Sequence, residues 1–122
     1  MNDNQQLIDR IIKYIRTNPG TSFVEIERIF EQSGFDYKGD LAPILGEQYP
    51  NVILWAGWNK HAVDIINKVV GSGTVKRVPC EPLIYMIDGK MMKFPIQRGY
   101  KNNKYPHWLP CVFTAKAALP LP

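Results

Sequence analysis

Cysteine is scarce in this chain of 122 residues, and what there is suits neither metal binding nor covalent chemistry. Cys80 and Cys111 each follow a proline and form no Cys-x-x-Cys pair. His107 and Cys111 stand four apart, but Pro110 disfavours the helix that would align them. With His61 as the remaining imidazole, no zinc set is assembled. Nothing marks either cysteine as an activated nucleophile. No apolar run approaches the ~20 residues that cross a bilayer. The start, Met1-Asn2-Asp3-Asn4-Gln5-Gln6, lacks the basic-then-apolar layout of a signal peptide. A cytoplasmic protein with two reduced thiols is therefore expected. There is no phosphate-cradling glycine loop, because Gly71-Ser72-Gly73 follows a helix and does not open one. Glu25 and Glu27 lie on a helix face that reads as solvated. These absences point away from an enzyme and away from any metal or cofactor.

The composition, 45% apolar and 21% charged, is that of an ordinary globular chain. Its length fits one domain that buries about two-thirds of its unfolded surface. The net charge of +4 is divided unevenly. Residues 1–58 hold five Lys/Arg against eight Asp/Glu, whereas residues 59–122 hold ten against three. Such a split favours a polyanionic partner for the second half.

Leu7, Ile8, Ile11, Ile12 and Ile15 recur on one face of a 3.6-residue period and predict a helix over 5–17, capped by Asp3 or Asn4. Pro19 and Gly20 end it. Ser22-Phe23-Val24-Glu25 reads as a capping box opening a second helix with an apolar stripe of Phe23, Ile26, Ile29 and Phe30. Glu27 and Glu31 fall on its solvent side. Residues 35–51 are punctuated by Gly39, Pro43, Gly46 and Pro50 and leave room for a short helix near 41–45. A strand over 51–55 leads into the turn Trp55-Ala56-Gly57-Trp58-Asn59. Asn59 caps a third helix, 60–70, with Ala62, Ile65, Ile66, Val69 and Val70 inward. Strands are expected at 74–78, 83–87 and 90–96. The last two are joined by Asp88-Gly89, a pair favoured in two-residue type I′ turns. In that hairpin Ile84, Met86 and Met91 line a second face that needs a cover, either residues 107–113 or another protein.

The outward face of the third helix offers Lys60, His61, Asn67 and Lys68, with Asp64 among them and no arginine. Lysine suits phosphate, and asparagine pairs bidentately with adenine. Lys76, Arg77, Arg98, Lys101 and Lys104 extend the basic character. The expected partner is DNA or RNA, with a homodimer matching two half-sites. The alternative is a protein-interaction surface at Ile84, Met86 and Met91, since methionine is enriched at adaptable interfaces.

The order helix, helix, strand, helix, small sheet resembles the winged helix-turn-helix superfamily. The likeness is carried by the Ser22 capping box, Asn59, the Gly71-Ser72-Gly73 stop and the strands flanking Pro79–Pro82. It implies an α+β fold of three main helices and a small antiparallel sheet with a C-terminal extension. The domain spans 1–113, and 114–122 form a flexible proline-rich tail. The strings Phe23-Val24-Glu25-Ile26-Glu27 and His107-Trp108-Leu109-Pro110 are also similar to small uncharacterised proteins of Gram-positive phages and mobile elements. That likeness implies a regulator or accessory protein of such an element.

Overall fold

The fold begins with two helices set against each other by their apolar stripes. The computed structural model describes residues 3–98 and 103–116. Helix α1 (Asp3–Thr17) buries Leu7, Ile8, Ile11 and Ile15. It already includes Asp3 and Asn4, so neither is its cap. Arg10 reaches across to Ser33 Oγ (2.6 Å) and Gln32 Oε1 (2.8 Å), tying α1 to the end of helix α2 (Phe23–Gln32). The capping box at α2 forms as expected: Ser22 Oγ accepts from the Glu25 amide, and the Glu25 carboxylate accepts from the Ser22 amide.

No helix forms near residues 41–45. Three short strands occupy this connection: β1 (Lys38–Leu41), β2 (Ile44–Gly46) and β3 (Tyr49–Ile53). Pro43 brings no amide hydrogen to a helix, and its carbonyl instead accepts from the Leu54 amide at 2.8 Å. Gly39 lies hard against the turn before the next helix. A Cβ there would stand 2.7 Å from Asn59 Cα and 2.8 Å from the Trp58 carbonyl oxygen. Both are backbone atoms that cannot swing away. Gly39→Ala is therefore expected to cost about 1–3 kcal/mol, the usual range for overpacking, read from the urea midpoint. An unchanged midpoint would show that the turn can move freely.

Helix α3 (Lys60–Gly71) starts at its Asn59 cap, which accepts from the Ala62 amide at 2.9 Å, and buries Ala62, Ile65, Ile66 and Val69. Strand β4 (Val75–Pro79) follows. The expected hairpin over 83–96 does not form. Leu83–Asp88 is a helix, α4, and Gly89 ends it with φ +81°. The Asp-Gly pair does mark a positive-φ residue, but as a helix stop and not a type I′ turn. Residues 90–95 form no strand; Ile96 alone makes a parallel bridge to Trp108.

The remaining strands are β5 (His107–Trp108) and β6 (Cys111–Ala115). One sheet runs β2-β3-β5, with β2 antiparallel and β5 parallel to β3. The other pairs β4 antiparallel to β6, from Val75 opposite Ala115 to Pro79 opposite Cys111. Thr21 bridges to Phe113 of β6, so the link between α1 and α2 lies along this second sheet. Strand β6 passes Phe113, where the domain was expected to end, and Lys116 still bonds to the Thr74 carbonyl. Residues 117–122 lie outside the described residues. Trp55, Trp58, Trp108, Tyr85, Phe23, Phe30 and Phe113 fill the centre of the core. The Phe23 ring stacks on Trp55 at 5.8 Å and meets Phe113 edge-on at 5.0 Å. Among the described residues no helix is long and apolar enough to cross a membrane.

Candidate nucleic-acid interface

The inward stripe of α3 leaves its other side to solvent, where Lys60, His61, Asn67 and Lys68 are all exposed. Residues 60, 64 and 71 follow one another through 67 or 68 in steps of three or four, so they share a face. Asp64, Asn67, Lys68, Gly71 and Ser72 line a shallow depression along it. Asp64 is held by Lys60, whose ammonium lies 2.8 Å from its carboxylate. That bond, with the nearby charges of Lys60, Lys68 and His61, keeps the carboxyl below its usual range. The acid is thus ionised but partnered, and Lys68 carries its charge outward at the end of the helix.

The remaining basic residues are placed less uniformly. Lys76 is exposed on β4. Arg77, expected to face a polyanion, instead directs its guanidinium at the carbonyl oxygens of Ile44 and Leu45, both at 3.4 Å. It joins β4 to β2. Arg98 and Lys104 are exposed, and Lys101 lies outside the described residues. Asn103 anchors this loop by accepting from Asn51 Nδ2 at 2.7 Å.

The second candidate surface also differs from expectation in its form. Ile84, Met86 and Met91 are exposed, but Ile84 and Met86 lie on α4 and Met91 just beyond it, not on a sheet. Residues 107–113 do not cover them as a lid, because that segment supplies β5 and β6.

Glu27, expected in solvent, is 3% exposed and sits at the centre of a polar cluster. Its Oε2 accepts from the indole nitrogens of both Trp55 and Trp58, each at 2.8 Å. Its Oε1 accepts from Lys90 Nζ at 2.7 Å, and that ammonium lies 5.7 Å from the Trp55 ring centroid. A signal for this was present in the spacing. Glu27 is four residues after Phe23 and three before Phe30, on the edge of the buried stripe. Two tryptophans with indole hydrogens to place follow downstream, and a buried carboxylate satisfies both.

Neither cysteine is poised for reaction. Burial pushes the Cys80 thiol up to about 11, helped by the Glu81 charge. Burial likewise pushes Cys111 up to about 12. Among the described residues no group of three His, Cys, Asp or Glu is arranged to hold a metal ion. No family description, curated protein or solved structure matches this chain, so its function is read from its own residues.

Proposed function

We propose that this chain is a non-enzymatic nucleic-acid-binding protein, regulatory in role, which reads a duplex with the outward face of α3. The observation that carries the reading is the mounting of that helix. Its inner side is fixed by Ala62, Ile65, Ile66 and Val69, and Lys60, His61, Asn67 and Lys68 all stand free of the core. The frame of α1, the Thr21 bridge, α2, α3, β4 and β6 supports a winged-helix-like arrangement. In it, β1–β3 are inserted before the reading helix, and α4 with the segment after it is inserted between the two wing strands. A helix of this kind enters the major groove while flanking basic residues meet phosphate. Lys76, Arg98 and Lys104 fill that second role. Arg77 does not, since it faces β2.

Fluorescence anisotropy with random and genomic duplexes provides the test. Affinity is expected to fall steeply with salt, with a log–log slope of about −0.9 per neutralised phosphate. Lys60→Glu/Lys68→Glu is expected to abolish binding and leave the circular dichroism unchanged. Retained binding would remove α3 as the reader, and no binding of wild type at low salt would end the proposal.

A second reading has its own observation. Ile84, Met86 and Met91 are exposed on and beside α4, which suits a protein-interaction module that modulates a regulator. Duplex binding that is insensitive to the α3 charge reversal, or absent, favours it.

A further inference from the structure

Helix α4 is mounted with its polar and aromatic side inward and its apolar side outward. Tyr85 is fully buried; its hydroxyl donates to the Cys111 carbonyl at 2.6 Å and accepts from the Phe23 amide at 3.1 Å. One turn on, Asp88 accepts from Ser22 Oγ at 2.7 Å. Beyond Gly89, Lys90 reaches the buried carboxylate of Glu27. These bonds fix the rotation of the helix about its axis. They leave Leu83, Ile84, Met86 and Ile87 outside, at the i, i+1, i+3 and i+4 spacing of one stripe. Leu83 is 59% exposed, Met86 58% and Ile87 76%. Met91 and Phe94, which follow within six residues of the helix, are also exposed, while Met92 between them packs on the core. Hiding the stripe by rolling the helix would break the Tyr85 and Asp88 bonds, so its exposure follows from how the helix is held.

We propose that a second copy of this chain covers this face, through a two-fold axis near Met86 that sets the two α4 helices antiparallel. Area is the first argument. Taking about 200 Å² for a large apolar side chain, the exposed fractions amount to roughly 600 Å² per copy and roughly 1,200 Å² for a pair covered in full. That reaches the lower end of specific, stable interfaces and the upper end of the patches monomers tolerate. Charge is the second. Glu81 is exposed two residues before the helix and Lys93 five residues after it. Antiparallel helices bring Glu81 toward the partner's Lys93 at both ends, whereas a parallel pairing sets like charges together. The face is self-complementary, as a two-fold interface requires. The proposal uses no residue of α3 and stands apart from the nucleic-acid reading.

The test is sedimentation equilibrium of the full chain from micromolar concentration upward. The expected limiting mass is twice the 14.0 kDa of one chain. Met86→Asp and Ile87→Asp are each expected to give monomers with unchanged far-ultraviolet circular dichroism. Glu81→Lys and Lys93→Glu are each expected to weaken the dimer roughly tenfold, because two facing pairs are lost at once. Combined in one chain they restore it, since the pairs re-form with their signs exchanged. This swap also decides the matter if an aspartate variant fails to fold. A wild-type monomer throughout overturns the proposal and leaves the face to a foreign protein. A dimer that survives a folded Met86→Asp variant places the interface elsewhere and overturns it too. Failure of the double swap to restore association overturns the antiparallel pairing.

Discussion

Glu27→Ala is expected to lower stability by about 3–5 kcal/mol, the range for removing one partner from a buried charged network. The cost comes chiefly from the indoles. Trp55 and Trp58 are fully buried, and both indole hydrogens end on one carboxylate oxygen. Removing it orphans two donors at about 1–3 kcal/mol each and leaves a cavity besides. Lys90 contributes less, because its side chain is 46% exposed and can return to water. Glu27→Gln keeps one acceptor for the indoles but then turns its amide NH2, a donor, toward the Lys90 ammonium. Its expected cost is smaller, about 1–2 kcal/mol. Against a typical total of about 5–15 kcal/mol, the alanine variant loses a large share of its stability, and its Tm should drop by roughly 10–20 °C. Urea unfolding followed by tryptophan fluorescence measures the loss of stability, and a thermal melt measures the Tm. An alanine variant within about 1 kcal/mol of wild type would show that water replaces the carboxylate without loss.

The second large effect is expected at Tyr85. Its ring lies 4.9 Å from Trp55 and 5.3 Å from Trp108, so it belongs to the core as well as to α4. Tyr85→Ala should cost about 3–5 kcal/mol, as for other buried aromatics cut back to alanine. Tyr85→Phe separates the two contributions. It keeps both ring contacts but orphans the Phe23 amide and the Cys111 carbonyl, at an expected cost of about 1–3 kcal/mol. Near-ultraviolet circular dichroism should stay native in the phenylalanine variant while its urea midpoint falls. Equal stability of the wild type and the Tyr85→Phe variant would show that the hydroxyl bonds contribute nothing net.

What could be read from the sequence was local. The Ser22 capping box and the Asn59 cap are decided within three residues, and both formed. The inward stripes of α1, α2 and α3 follow from period alone. The third-helix face at Lys60, His61, Asn67 and Lys68 was legible for the same reason, since these four fall off the stripe and are exposed. The segment from Leu83 was not. Its Asp88-Gly89 pair serves a type I′ turn and a helix stop equally well. The choice was made by Tyr85, which finds two rings and two backbone partners only if the chain coils there. Those partners are far off in sequence. Glu27 and Arg77 were misplaced for the matching reason. Each charge is held by groups on distant segments: the indoles and Lys90 for Glu27, and the carbonyls of Ile44 and Leu45 for Arg77.

The bridge between Thr21 and Phe113 bears on how the protein is made. Phe113 is fully buried against Phe23, and its backbone completes the pairing of the link between the first two helices. The ribosome makes α1 and α2 well before β6. Until β6 has emerged, Phe23 and the aromatic rings around it lack their closing neighbour. Such long-range closure slows folding and keeps apolar surface open in the meantime. The nascent chain therefore carries an unfinished core from the synthesis of α2 until β6 has emerged.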